Sequence, residues 1–522
     1  MDLKSIQKIE RKSGLGRGEA LRMTVVLAFI MGVMLFTHFY TPDVPGRLML
    51  IVAAMIGGYM ALNIGANDVA NNVGPAVGSQ ALTLVGAIII AAIFEAAGAL
   101  IAGGNVVGTI KSGIIDPSMI ADSAVFIWVM MAALLAGALW LNFATVIGAP
   151  VSTTHSIVGG IMGSGIAAGG WGIVDWGQMA AIAASWVISP VLGGIIAAAF
   201  LLFIKHTITY KDDKIAAAKR MVPLLIGVMV WSFTSYLIMK GLNKLFDVSF
   251  LSAIVIGLAI AIVSYFIIKP YIIKSADKLD NDKDAINALF TMPLIFAAAM
   301  LSFAHGANDV ANAIGPLAAI NDAIASGGIA SEAAIPLWVM MVGAIGIVLG
   351  LALFGPKLIR TVGSEITELN KLRAFSVAMA ASITVIVASQ LGLPVSSTHI
   401  AIGAIFGVGF LREYIKKSYD TMVAEIMQHH KESGQEIVET FLMDFQKATI
   451  AGKHAMLQTL NENDVAAQFT KRERKSLKKV YRKELVRRSA LLRIAAAWVI
   501  TVPASAILAA LIFYTIRGAL LP

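Results

Sequence analysis

No cysteine occurs in the 522 residues. Disulfides, thiolate catalysis and cysteine-based metal sites are therefore excluded, while the redox compartment stays open. Charge is also scarce. Asp, Glu, Lys and Arg make up 14% of the chain, where soluble domains carry about 25%. Apolar residues take their place, at 58% of the sequence with a mean hydropathy of +0.79. The 47 glycines fit a protein whose helices approach closely inside a membrane. The fold class that follows is an all-α polytopic membrane protein. The net charge of +9 marks cytoplasmic loops rather than a nucleic-acid surface, so no nucleic-acid partner is expected.

The first 22 residues are polar and basic, with Lys4, Lys8, Arg11, Lys12, Arg17 and Arg22. Met23–Tyr40 follows as an apolar run of 18. A signal peptide would have a shorter core and a small-residue cleavage site, so this run is expected to be a first span entering from the cytoplasm. Further runs long enough to cross a bilayer lie at 49–64, 82–102, 124–147, 178–204, 221–240, 250–268, 288–304, 334–355, 374–391 and 491–514. Shorter apolar pieces at 155–168 and 398–411 follow polar breaks and look like half-helices, giving about 11–13 membrane segments. Basic loops at 205–220 and 269–287 place residue 49 outside and residue 288 inside.

The heptapeptide Gly-Ala-Asn-Asp-Val-Ala-Asn occurs twice, at Gly65–Asn71 and Gly306–Asn312. Such a recurrence marks a duplication. Two more anchors agree. Pro150-Val-Ser-Thr-Thr-His155 matches Pro394-Val-Ser-Ser-Thr-His399, and Ile182-Ala-Ala-Ser-Trp-Val-Ile188 matches Ile494-Ala-Ala-Ala-Trp-Val-Ile500. The offsets are 241, 244 and 312 residues, so 68 residues are inserted late in the second copy. Because the two heptapeptides are entered from opposite faces, the repeats have inverted topology with broken, re-entrant helices, as in many secondary transporters. The chain divides into 1–48 (cytoplasmic N-terminus and extra first helix), 49–204 (repeat 1) and 205–287 (loops and two connecting helices). Repeat 2 follows at 288–411, then 412–490 (a cytoplasmic helical insertion) and 491–522 (the last helix of repeat 2).

Each heptapeptide puts a carboxylate and two amides at a depth where polar groups are costly. No Lys or Arg lies in either copy, so the expected partner of the carboxylate is a mobile cation or a proton. Hard cations prefer carboxylate, amide and backbone oxygens. Asn67, Asp68, Asn308 and Asp309 are therefore candidate cation ligands, with Gly65 and Gly306 at the expected break. The structural alternative is that the amides cap a broken helix. Pro-Val-Ser-Thr-Thr-His and Pro-Val-Ser-Ser-Thr-His read as helix starts, whose free N–H groups and positive dipole ends attract anions. Ser152, Thr153, Thr154, Ser396, Ser397 and Thr398, with Asn71 and Asn312, are the candidate anion ligands. Two such half-helices meeting would surround a tetrahedral oxyanion with neutral donors. An arginine fork would hold the anion tightly and release it slowly; neutral donors plus co-bound cations let affinity fall when the cations leave.

Glu95 lies mid-span, as a cation or proton ligand or as a packing residue. His155 and His399 end the hydroxyl motifs and are expected to make structural hydrogen bonds. His305 has Ile64 as its counterpart, an asymmetry that argues against an essential role. Lys111 and Asp116 are expected in a solvated loop.

These motifs resemble the PiT family of inorganic phosphate transporters. The resemblance rests on Gly65–Ser79, Ile93-Phe-Glu95, Lys111-Ser-Gly-Ile-Ile-Asp116, Phe303–Pro316 and both Pro-Val-Ser motifs, and covers about residues 49–204 and 288–514. It implies a central phosphate site with cations near Asp68 and Asp309. The Gly-Ala-Asn-Asp form looks like the sodium-coupled branch, since proton-coupled bacterial relatives have His in place of that Asn. The extra span at 23–40 and the late insertion depart from the compact family pattern. The expected function is secondary active symport of inorganic phosphate with Na⁺ by alternating access, with no enzymatic activity and no cofactor beyond the coupling ion. The alternative is a proton-coupled phosphate or sulfate permease on the same scaffold. A multi-pass plasma-membrane location follows (the inner membrane, if bacterial), with a cytoplasmic N-terminus; a homodimer is compatible with the glycine-rich faces. Deleting 412–490 is expected to leave the transported anion unchanged, and a shift in anion preference on uptake assays would refute this.

Overall fold

A computed structural model describes residues 17–120, 122–149, 151–241, 248–326, 335–365, 369–429, 444 and 488–520. All regular elements among them are helical. In chain order they are α1 (Arg17–Tyr40), α2 (Arg47–Asn67), α3 (Val69–Gly78), α4 (Leu84–Ala102), α5 (Gly104–Ser112), α6 (Ser123–Ile147), α7 (Thr153–Gly169), α8 (Trp176–Ile204) and α9 (Lys214–Lys240). There follow α10 (Phe250–Ala276), α11 (Lys283–Leu289), α12 (Thr291–Asp309), α13 (Ala311–Ser326), α14 (Leu337–Glu365), α15 (Lys371–Gln390), α16 (Ser397–His429) and α17 (Arg488–Leu520), with short turns between. Among the described residues eleven spans are long and apolar enough to cross a membrane, and they match the eleven apolar runs one for one. The chain is thus an all-α polytopic membrane protein. Two compact units are present: Met1–Gly407 with Arg488–Pro522, and Val408–Arg487. Most of the 412–490 insertion lies outside the described residues.

Many helix starts were legible. Thr83, Asp122, Ser152, Asp175, Asp213, Ser249, Asp282 and Asn370 each accept a hydrogen bond from a backbone N–H of the following turn, which satisfies one of the orphan donors there. Burial separates centre from rim. The apolar window of the Thr291–Ser326 span is 89% buried and that of Lys371–Gln390 is 83%, against 17% for Phe250–Ala276 and 11% for Gly18–Tyr40. The central helices are therefore those carrying the second heptapeptide and its neighbour.

The glycines of the heptapeptides do not mark the breaks. The breaks fall at Asp68 and Val310, three to four residues later, and both residues keep right-handed helical dihedrals. A proline stands inside the helix after each break. Pro75 and Pro316 stand four residues after Asn71 and Asn312 and have no N–H to give those carbonyls. Gly65 and Gly306 instead allow backbones to meet. A Cβ on Gly65 would overlap the Ile347 carbonyl of α14, and one on Gly306 would overlap the Glu95 carbonyl of α4. Gly350 meets the Leu62 carbonyl and Gly98 the Phe303 carbonyl in the same way. Each heptapeptide helix is thus packed against a helix of the other repeat.

Lys111 is not solvated. It lies in α5, and its Nζ is 2.5 Å from Asp322 Oδ2 of α13, with side chains 6% and 7% exposed. Asp116 is exposed, as expected, and its carboxylate accepts from the hydroxyl and amide of Ser118, which hold its pKa below the usual range. Removing one partner of a buried ion pair strands the other. Lys111→Met is expected to cost about 3–5 kcal/mol, and the double variant Lys111→Met/Asp322→Leu to recover much of it. Thermal unfolding in detergent checks this, and additive losses would contradict it.

Candidate functional site

The two heptapeptide breaks and the starts of α7 and α16 converge. Ser152 and Ser396 cap these helices, accepting from the amides of His155 (3.1 Å) and His399 (3.2 Å). Each hydroxyl oxygen accepts from its own helix, and its O–H stays available to donate. The next hydroxyls point at the carboxylates. Thr153 Oγ1 donates to Asp68 Oδ2 at 2.8 Å and lies 3.4 Å from Asp309 Oδ2, while Ser397 Oγ donates to Asp309 Oδ2 at 3.0 Å. All four residues are essentially buried. The amides of Thr153, Thr154, Ser397 and Thr398 lie in the first turns of α7 and α16, whose N–H groups have no earlier turn to bond.

The repeats then exchange amides. Asn71 Nδ2 donates to Thr398 Oγ1 at 2.8 Å, and Asn312 Nδ2 donates to Thr153 and Thr154 Oγ1, both at 3.1 Å. Thr154 Oγ1 donates across to the Val395 carbonyl at 3.0 Å. The Oδ1 atoms of Asp68, Asn71 and Asn312 accept no hydrogen bond from the described residues. Asn71 and Asn312 were expected to bind an anion, but their uncommitted atoms are carbonyl oxygens, which repel an anion and suit a hard cation.

Asn67 and Asn308, expected as cation ligands, act as braces. Asn67 donates to Thr145 Oγ1 (3.0 Å) and the Ala149 carbonyl (3.3 Å), and accepts from the Val151 amide (3.3 Å). Asn308 meets Ser389 at the equivalent place: with its amide turned it accepts from Ser389 Oγ at 2.9 Å and donates to the Val395 carbonyl at 3.2 Å. Each ties its heptapeptide to the loop entering its own hydroxyl motif.

His305 is not peripheral. Its Nδ1 lies 2.7 Å from Glu95 Oε2, and its Nε2 is 3.0 Å from Asp309 Oδ2, near enough to pair although off the hydrogen-bonding direction. Glu95 Oε1 accepts from Asn72 at 2.8 Å. Ligand atoms of Asp68, His305 and Asp309 lie within 4.8 Å of one another. The layer exists once. Gly306 touches the Glu95 backbone and Gly65 the Ile347 backbone, so Ile347 is the counterpart of Glu95, as Ile64 is of His305. Sequence reasoning set His305 aside for that asymmetry; its adjacency to the heptapeptide was the signal to keep it.

His155 and His399 are held by rings. Trp186 packs on His155 at 3.9 Å, His155 meets His399 edge-on at 4.3 Å, and His399 stacks on Trp498 at 3.6 Å. The Trp186 indole donates to the Pro394 carbonyl of the other repeat at 3.2 Å. The third sequence anchor thus aligns the two helix starts. Ser152→Ala and Ser396→Ala are each expected to lower thermal stability in detergent by about 1 kcal/mol, as the loss of caps; unchanged melting would contradict the capping role.

The comparisons agree with this arrangement. The profile of the phosphate transporter family matches residues 64–509. A Helicobacter pylori (strain J99) protein named "Putative phosphate permease" is 51% identical over 523 residues, covering 98% of both chains. A Pyrococcus abyssi protein with a name of the same kind is 39% identical over 363 residues, 70% of this chain and 89% of that one. A solved structure titled "The sodium-dependent phosphate transporter" is 30% identical with a TM-score of 0.74, covering 91% of this chain and 100% of that chain. On the extent of these matches and on the paired motifs they span, the chain belongs to the phosphate transporter family.

Proposed function

We propose that this protein is a secondary active symporter that takes up inorganic phosphate with Na⁺ by alternating exposure of the site between α7 and α16. The observation that carries this reading is the division of labour at the centre. First-turn amides of two helices converge there, and helix N-termini favour phosphate. Beside them, Asp68, Asn71 and Asn312 keep Oδ1 atoms that take no hydrogen bond from the described residues, a set of hard oxygens suited to Na⁺. Thr153 and Ser397 link the two regions, since their hydroxyls sit on Asp68 and Asp309. Cation binding thereby orients the helix starts that receive the anion, and in a low-dielectric site the opposite charges support each other. The solved relative's title, with its sodium dependence, supports the same coupling ion. The N-terminus then lies on the cytoplasmic side of the plasma membrane.

One observation favours a second reading, proton coupling. His305 bridges Glu95 and Asp309, and imidazoles relay protons. Uptake of ³²P-phosphate into proteoliposomes separates the two, under an inward Na⁺ gradient against an equal K⁺ gradient at fixed pH and clamped potential. Accumulation only with Na⁺ is expected. Asp68→Asn and Asp309→Asn are expected to reduce Na⁺-driven uptake by about tenfold or more, the scale of a lost charged contact. Uptake that persists in K⁺ and follows a pH gradient would establish the proton reading. Competition by sulfate as strong as by phosphate would refute phosphate selectivity.

A further inference from the structure

A cavity of about 530 Å³ opens between α1, α2, α6 and α14. Glu19 and Arg22 of α1 line it, and so do Asn63 and Ala66 of α2 and Asn142 and Thr145 of α6. Ala66 immediately precedes Asn67, and Asn67 donates to Thr145, so the cavity wall borders the first heptapeptide. Its lining is mostly apolar, with the Glu19 carboxylate, the Arg22 guanidinium, amides and hydroxyls as the polar groups that a hydrated ion would meet.

The duplication supplies a control inside the same molecule. Asn63 and Ala66 correspond to Ala304 and Ala307 of α12, and Asn142 and Thr145 to Ile386 and Ser389 of α15. The last equivalence is visible in the contacts, since Asn308 meets Ser389 as Asn67 meets Thr145. Yet the second set is closed. Asn63 and Ala66 are about as buried (4% and 2%) as their counterparts Ala304 and Ala307 (0% and 1%), so the difference lies on the other helix, where Ile386 and Ser389 are 7% and 2% exposed whereas Asn142 is exposed and Thr145 half-buried. Aromatic rings from α9 pack on that side. Phe303, the counterpart of Leu62, meets Phe233 edge-on at 5.2 Å and Tyr236 at 6.3 Å. The Tyr236 side chain is fully buried beside Ser389.

We infer that the cavity is the open half of the substrate route, and that Phe233 and Tyr236 plug the matching half. The inference rests on the alternating-exposure reading above. In that cycle the two halves are never open together, and a ring pair that a hydrated anion cannot pass is the physical form of the closed one. Arg22 and Glu19 stand one turn apart in the lining, so the cavity presents a charge pair rather than a net positive field to an anion. Neither α1 nor α9 carries a motif residue, so both helices would serve the route rather than the site.

The absence of native cysteine makes the test direct, because a single introduced thiol is the only target for a membrane-impermeant methanethiosulfonate reagent. Full-length Asn142→Cys is expected to react from one face of the membrane only. Ile386→Cys, at the equivalent place, is expected to react about tenfold more slowly from either face, since exposure governs thiol modification. Adding Tyr236→Ala should raise the Ile386→Cys rate about tenfold, from the face opposite to the one that labels Asn142→Cys. Tyr236→Leu serves if the alanine variant fails to fold, with an unchanged Asn142→Cys rate as the mark of an intact protein. Labelling of both positions from the same face, or an unchanged Ile386→Cys rate in a folded Tyr236 variant, would overturn the inference. The labelling needs neither phosphate nor Na⁺, so a wrong solute or coupling ion would show in uptake without touching this result.

Discussion

The centre of this protein depends on one constraint: buried donors and acceptors must be paired, and neither repeat pairs all of its own. Asn71 of the first copy satisfies Thr398 of the second, Asn312 of the second satisfies Thr153 and Thr154 of the first, and Thr154 answers the Val395 carbonyl. An unsatisfied buried group costs about 1–3 kcal/mol. With these crossings broken, each repeat would strand several such groups. The crossings therefore fix the register of the two halves, and the glycine contacts that bring α2 onto α14 and α12 onto α4 make the necessary approach possible.

The hydroxyl motifs divide their work by position. The first serine of each is taken by its helix, as a cap. The following residue is taken by a carboxylate. Backbone amides are left free in each first turn, and a helix start of this kind presents several oriented donors without a formal charge. Trp186 and Trp498, with the histidines between them, keep the two starts in line.

Much of the fold was legible from hydropathy, because apolar runs of bilayer length are hard to mistake, and the repeat was legible because seven residues recur unchanged. Residue types in the motifs located the site but not the role of each side chain. Ser152, Ser396, Asn67 and Asn308 read as ligands in sequence and also brace the site in space, since capping and ligation use the same chemical groups. Lys111 was misplaced for a related reason. A lysine near a turn is ordinarily solvated, and only the approach of α13 brings Asp322 to it. The comparison between repeats also misled in one respect. It assumed that function is symmetric, and so discounted His305.

That layer sets the two halves apart energetically. If the repeats were identical, exchanging their conformations would map one end state onto the other, and both would be equally populated at rest without a voltage or a gradient. Glu95 and His305 stand where the other copy has Ile347 and Ile64. Among the differences between the copies this is the ionisable one, so in a protein that alternates between two end states the balance at rest would respond to the surroundings this pair meets in each.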